Sequence, residues 1–310
     1  MIVAITGARG FIGSRLARAH LDRGDEVRAL TRRVERLQPN VAGCISFRGN
    51  LAVAGDIPAG FLDGTDVLYH CAAELRDVQA MEAANVRGTQ NLLDTAVGRV
   101  RRWVQLSSVG VYGPCREGEV REDAPLHPSN AYERTKAAAD LLLMKTAEAI
   151  GLEWTILRPT IVFGSEMPNS SIRQLAAMIR RGLYWHIGVP GASANYIHVE
   201  NVVHALLLCG EHPDAVGRIF NLSDHRTFED FICAIADDLN VPAPSKRLPE
   251  TLARILAVIA TWVPGSPLTL SRIDALTGRA QYPIDRIVDE LGYRHIISME
   301  DGLAETLSST

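Results

Sequence analysis

Tyr132 and Lys136 are spaced to move a proton. They stand four residues apart in the stretch Pro-Ser-Asn-Ala-Tyr-Glu-Arg-Thr-Lys that runs from Pro128 to Lys136. The next residues, Ala-Ala-Ala-Asp-Leu-Leu-Leu-Met, are strong helix formers without Gly or Pro. A helix opening near Asn130 puts both side chains on one face, one turn apart. A phenol beside an ammonium has its phenolate stabilised, so its pKa is expected to fall toward working pH. That would make Tyr132 a general acid/base for a hydroxyl. The same pair on a solvated helix face would do nothing, so the reading needs partners elsewhere in the chain.

The elements that would position the pair begin at the first residues. Ile2 to Ile5 is a short apolar run, read as a buried strand. Thr6-Gly7-Ala8-Arg9-Gly10-Phe11-Ile12-Gly13 follows, then Leu16, Ala17 and Leu21 at helical spacing. In this strand, turn and helix, Gly7, Gly10 and Gly13 let the backbone approach a pyrophosphate at the helix N-terminus, with Phe11 and Ile12 in the same loop. A second strand, Glu26 to Leu30, leads into Thr31-Arg32-Arg33. An NAD site usually carries an acidic residue here for the ribose 2′-hydroxyl. Arg32 and Arg33 instead suit a 2′-phosphate, so the cofactor is read as NAD(P) with NADP favoured.

Strands are expected at Ile45 to Arg48 and Val67 to His70, with Asn50, Leu51, Cys71, Ala72 and Ala73 at or after their ends, where a doubly wound sheet binds its ligand. A helix over Asn85 to Thr95 and strands over Trp103 to Leu106 and Trp154 to Leu157 continue the alternation. The fold class is therefore α/β, a doubly wound parallel (Rossmann) sheet over residues 1–160. Beyond it, Asn195 to Val199 and Arg218 to Leu222 read as strands, and 195–222 is expected to return to that sheet. Ser171 to Arg181, Thr227 to Leu239, Glu250 to Trp262 and Asp285 to Leu291 read as helices. Residues 161–194 and 223–310 are expected to form a smaller, mostly helical substrate lobe.

Composition excludes other classes. The 310 residues carry a formal net charge of −4, so no nucleic-acid partner is implied. Five scattered cysteines, an odd count without a CxxC pair, argue for reduced thiols, a cytoplasmic location and no metal site. With a strand starting at Ile2, no signal peptide is expected. The longest apolar stretch, Ile255 to Val263, is too short for a transmembrane segment. It reads as a core or lid helix, with a membrane-surface helix as the minor reading.

Taken together, the pieces resemble the extended short-chain dehydrogenases/reductases, specifically the NAD(P)-dependent epimerase/dehydratase group. The resemblance rests on the glycine loop 6–13, His70-Cys71-Ala72-Ala73, Asn85-Val86-Arg87-Gly88-Thr89, and Ser107-Ser108 with Val111-Tyr112-Gly113. It continues through Tyr132 and Lys136, Arg158-Pro159 with Val162-Phe163-Gly164, Tyr196-Ile197-His198-Val199-Glu200-Asn201, and Leu291-Gly292-Tyr293, and so covers essentially the whole chain. It implies Tyr132 as the catalytic acid/base, Lys136 on the nicotinamide ribose, and Ser108 hydrogen-bonding the reacting oxygen. It further implies Asn50 at the adenine, where the group usually has an aspartate, and Asn85, Leu106 and Pro159 around the cofactor. A homodimer is expected by analogy only.

Three functions stay open at this point. The first is a 4-epimerase or 4-keto reductase on a nucleotide-linked sugar. The second is an NADPH-dependent carbonyl reductase or 3β-hydroxysteroid-type dehydrogenase on an apolar small molecule. The third is a non-catalytic cofactor-binding sensor. Val109 and Gly110 stand where dehydratases of the group carry acidic residues, so 4,6-dehydration is not expected. Ile161, Ala194 and Asn195 replace polar groups usual in nucleotide-sugar enzymes, and Arg173, Arg272 or Arg279 are the candidates to compensate.

Overall fold

The computed structural model describes residues 1–32, 42–260 and 269–308. The first half runs β1 (Ile2–Thr6), α1 (Phe11–Asp22), β2 (Glu26–Thr31), β3 (Ile45–Arg48), β4 (Thr65–His70), α2 (Val78–Met81), α3 (Gly88–Ala96), β5 (Val100–Leu106), β6 (Glu117–Glu119), α4 (Ala131–Ile150) and β7 (Glu153–Pro159). The second half runs β8 (Ile161–Phe163), α5 (Ser171–Arg180), β9 (His186–Ile187), β10 (Ser193–His198), α6 (Val199–Glu211), β11 (Arg218–Leu222), β12 (Asp224–Thr227), α7 (Phe228–Asp238), β13 (Arg247–Leu248), α8 (Glu250–Ala260), α9 (Leu270–Thr277), β14 (Arg279–Gln281), α10 (Asp285–Leu291) and α11 (Met299–Ser308).

Seven strands form one sheet in the order β3-β2-β1-β4-β5-β7-β11, and every pairing is parallel. Both faces are covered, which explains why β1 is apolar at consecutive positions rather than alternate ones. Val3 and Ile5 join Val27, Val67 and Tyr69 under Leu16 and Ala17 of α1 and Val202 and Leu206 of α6. Ala4 points the other way, with Leu68, Trp103 and Ile156, under Leu92 and Leu93 of α3 and Leu143 and Ala147 of α4.

The strand order reverses between β1 and β4, and the crevice outside the strand ends at such a point receives the ligand. The loops after β1, β4, β5 and β7 carry Gly7, Cys71, Ser107 and Thr160 to that edge.

The expected return of 195–222 to the large sheet is split. Ser193–His198 pairs with β8 and β12 in a separate three-stranded sheet, whereas α6 and β11 belong with the large one. Tyr196, His198 and their neighbours instead cover a third core, where α5, α7 and α11 meet through Ile172, Phe231, Ile232 and Leu303. Asn85 lies in a π turn, Glu82–Arg87, ahead of α3 rather than in a regular helix. α8 ends its described part at Ala260, so Trp262 and Val263 lie outside the described residues. Among the described residues no helix is long and apolar enough to cross a membrane.

Candidate active site

A cavity of ≈ 1250 Å³ opens at the C-terminal ends of the parallel strands. Its floor is the glycine loop. Gly7 has φ +71°, and a Cβ there would meet the backbone of Ala72 at 2.7 Å, so only glycine lets the loops after β1 and β4 touch. The amide of Gly10 donates to Gly7 O (2.8 Å), and α1 starts directly after it, presenting its N-terminus to the cavity together with Phe11, Ile12 and Gly13. These are the fittings an anionic pyrophosphate needs: close backbone approach and free amides at a helix start. Leu51, Cys71, Ala72 and Ala73 also line the cavity. Burial pushes the Cys71 thiol up to about 12, so it is an inert wall.

Asn50 lines the cavity from the end of β3. Its Oδ1 accepts from the amide of Ala52 (3.1 Å), and its own amide donates to Asp56 Oδ2 (2.7 Å). The side chain is thus held by its oxygen, with the NH₂ end left as the donor available to a ligand. Arg32 lines the cavity and is exposed, and its charge pulls the Glu74 carboxyl down, although three backbone amides bear more strongly on that group. Arg33 lies outside the described residues. Arg9 was not singled out in the sequence, yet it lines the same cavity with a buried Nε that has no hydrogen-bond partner.

Asn85 departs from its expected place. It does not line the cavity; its Nδ2 donates to Glu74 O and to Thr135 Oγ1 (both 3.0 Å), and its Oδ1 accepts from the Glu74 amide (2.7 Å). Both ends of the amide are spent tying the loop after β4 to α4. Arg173, Arg272 and Arg279 do not line the cavity either. Asn195 turns away and donates to Ala280 O (2.8 Å).

α4 delivers the reacting pair. Asn130 caps it, accepting from the Glu133 amide (3.0 Å), while Glu133 accepts from the Asn130 amide (3.3 Å). This reciprocal box fixes the start of the helix two residues before Tyr132. Ser108, Tyr132, Lys136, Leu106 and Pro159 all face the cavity. Lys136 is buried, and its Nζ donates to Leu106 O at 2.6 Å.

The electrostatics differ from the sequence expectation. Burial pushes the Tyr132 phenol up to about 12, against a hydrogen bond with Ser108 that pulls it down, while Asp140 and Glu133 push it further up. Lys136 does not lower it, because its ammonium is committed to the Leu106 carbonyl and is itself destabilised by burial. Tyr132 is therefore a neutral phenol at neutral pH.

Behind Lys136 lies a network that sequence reasoning missed. Asp140, one turn further along α4, accepts from Ser107 Oγ (2.8 Å) and Arg158 Nε (3.1 Å). Arg158 also donates to Tyr112 Oη (2.9 Å), and Tyr112 donates to Asn221 Oδ1 (2.9 Å). Asp140 and Arg158 are both almost fully buried. Burial raises the Asp140 carboxyl, while Arg158 and Lys136 pull it back. The i, i+4, i+8 spacing of Tyr132, Lys136 and Asp140 is the only sign in the chain that these three share a face.

A sequence profile described as the NAD dependent epimerase/dehydratase family matches residues 3–223. A sterol demethylase protein B from Methylococcus capsulatus is 31% identical over 84% of this chain and 81% of its own length. The low-salt glycan biosynthesis protein Agl12 from Haloferax volcanii is 29% identical over 98% of this chain and 96% of its own. A solved UDP-glucuronic acid 4-epimerase from Bacillus cereus, in complex with NAD, superposes with a TM-score of 0.76 at 19% identity, covering 100% of this chain and 98% of that one, and so shares the fold. With the profile spanning more than two thirds of the chain, this protein belongs to the NAD dependent epimerase/dehydratase family and is an enzyme of that family.

Proposed function

We propose that the protein interconverts a secondary alcohol and a ketone with a nicotinamide cofactor, and that its substrate is a nucleotide-linked sugar reacting at C4, by epimerisation or keto reduction. The observation that carries this is the convergence of Ser108, Tyr132 and Lys136 on the cavity floored by the glycine loop. The bound cofactor would accept or supply the hydride. Tyr132 Oη exchanges the proton with the substrate oxygen, and Ser108 Oγ orients that oxygen. Lys136 holds the ribose hydroxyls. Arg32, with Arg9 in the same cavity lining, supplies cations for a 2′-phosphate, which favours NADP(H). Residues 1–160 with α6 and β11 act as the cofactor unit, and residues 161–194 and 223–310 as the substrate lobe.

A second reading has its own support. The cavity lining contains Arg9, Arg32 and Lys136 as its only cations among the described residues, with Leu75 from the loop after β4, Ile161 and Val162 of β8 and Pro168 beyond it as apolar lining. A diphosphate wants a cation there, whereas a carbonyl reductase or 3β-hydroxysteroid-type dehydrogenase acting on an apolar ketone does not. A substrate panel separates the two: UDP- and dTDP-hexoses against apolar ketones, each with NADH and NADPH, for the wild type and Tyr132→Phe. Loss of the phenolic oxygen should lower turnover by about a hundred-fold or more with cofactor affinity retained. A Tyr132→Phe enzyme with near wild-type turnover would sink the proton-transfer assignment. Turnover of apolar ketones alone would replace the sugar reading by the second.

A further inference from the structure

α8 is amphipathic in the inverted sense. Its small residues Ala253 and Ala257 are fully buried, packed with Ile273 against Ile187 and Leu248. Its large residues Leu252, Ile255, Leu256 and Ile259 lie on the opposite side and are each between 40% and 60% exposed. At 100° per residue these four fall within one outward stripe about 100° wide, while Glu250 and Arg254 project from the far side of the helix, beside Ala257. A neighbouring segment also exposes large apolar side chains. β9 pairs with β13, which leads directly into α8, and Leu183 and Trp185, both just before β9, are also exposed.

The segment around Trp185 carries unpaired cations. Arg180, Arg181 and Lys246 are exposed and form no ion pair among the described residues, and Lys246 Nζ sits 5.5 Å from the centre of the Trp185 ring. The acids nearby are neutralised: Arg254 holds Glu250 (2.8 Å) and Asp274 (2.6 Å), and Arg247 holds Glu229 (2.7 Å). In a chain of net charge −4, an apolar stripe edged by uncompensated cations and an exposed tryptophan is a local exception. A second copy packed patch to patch would present the same set of cations and so would bring no new acid to Arg180, Arg181 and Lys246. Anionic lipid headgroups supply the missing negative charge, and the acyl boundary takes the aliphatic stripe.

We propose that α8, with the segment around Trp185, is a membrane-surface site that seats the enzyme on an anionic phospholipid bilayer. The helix lies in the interface plane, Ile255 and Ile259 enter the acyl boundary, and Arg181 and Lys246 meet phosphate oxygens. This stands apart from the assignment of the cavity and of either substrate class.

The test uses the full chain and sedimentation with vesicles of phosphatidylcholine alone or mixed with phosphatidylglycerol. The wild type should pellet with the mixed vesicles. Ile255→Glu with Ile259→Glu should lower its partition by roughly ten-fold or more, because each buried aliphatic group is replaced by a charge. Arg181→Glu with Lys246→Glu should abolish the preference for phosphatidylglycerol, and about 0.5 M salt should weaken it in the wild type. All altered positions are exposed, and cofactor titration of each variant reports an intact fold. Leu252→Ser provides the same reading should the double replacement melt early. Absence of wild-type binding to mixed vesicles would overturn the proposal, as would binding unchanged by the α8 variants. A wild-type dimer that the α8 variants split to monomers would also overturn it, because a second copy would then cover the stripe.

Discussion

Asp140 shows how much a single side chain behind the reacting pair can carry. Its carboxylate is the shared acceptor of Ser107 and Arg158, and it is the nearest carboxylate acting on Lys136. In Asp140→Asn the Arg158 guanidinium stays buried without a counter-charge, a loss of about 3–5 kcal/mol in comparable buried pairs. Urea unfolding should show that loss, and the replacement Asp140→Leu with Arg158→Met should recover part of it, because it removes both charges together. A single variant costing under about 1 kcal/mol would mean that water, and not Asp140, satisfies Arg158. This network could not be read from the sequence. Asp140 and Arg158 are 18 positions apart and Tyr112 and Asn221 are 109 apart, and nothing local marks them as partners. Tyr132 and Lys136 were legible because one helical turn joins them. Their electrostatic coupling was not legible, because it depends on where the Lys136 ammonium points, and it points at Leu106 O.

At the scale of elements, His70 joins three of them. Thr89 Oγ1 donates to Asn85 O, so toward His70 it accepts, from Nε2–H (3.1 Å); Nδ1 then accepts from Thr6 Oγ1 (2.6 Å). A neutral imidazole thus ties the ends of β1 and β4 to α3 beneath the glycine loop. Burial, with a smaller push from the Lys136 charge, drops its pKa to about 3. In the unfolded chain the same ring titrates near 6.5, so below that pH the unfolded state binds the extra proton. Its contribution is fully present above about 6.5 and is lost as pH falls toward about 3. We expect unfolding free energy measured against pH to fall through this window. His70→Asn should be less stable at neutral pH, with an acid limb shallower by about one proton, or roughly 1.4 kcal/mol per pH unit. An unchanged slope would mean that the ring is reached by water. The strand, glycine turn and helix at 2–22 were legible because glycine spacing and apolar runs are local signals. The short pairings β9 with β13 and β6 with β14 were not, being two or three residues long and placed by distant neighbours.

For the whole molecule, the decisive departure is that the chain leaves the large sheet after β7, builds β8, α5, β9 and β10 elsewhere, and returns with α6 and β11. One arginine spans the two parts. Arg15 of α1 donates to Ser165 O (2.7 Å) and pairs with Glu200 (3.1 Å), so the helix that begins at the glycine loop is tied to the segments that cover the third core. Sequence alternation could not locate this excursion, since β10 reads as one more strand of a Rossmann series until its partners are known.

The late return of β11 has a consequence for how the chain leaves the ribosome. When residue 160 has been made, β7 is the unprotected border of the sheet, with Thr155 to Pro159 buried in the finished protein but bare in the nascent one. That border stays open until residue 222 has emerged, some 60 residues later, which at typical synthesis rates is several seconds. A fragment ending at 160 therefore keeps a permanent open strand edge of apolar character and is expected to aggregate on expression, whereas the full chain stays dispersed. Light scattering of the two at equal concentration would decide it, and a monodisperse 1–160 fragment would show that β7 needs no partner.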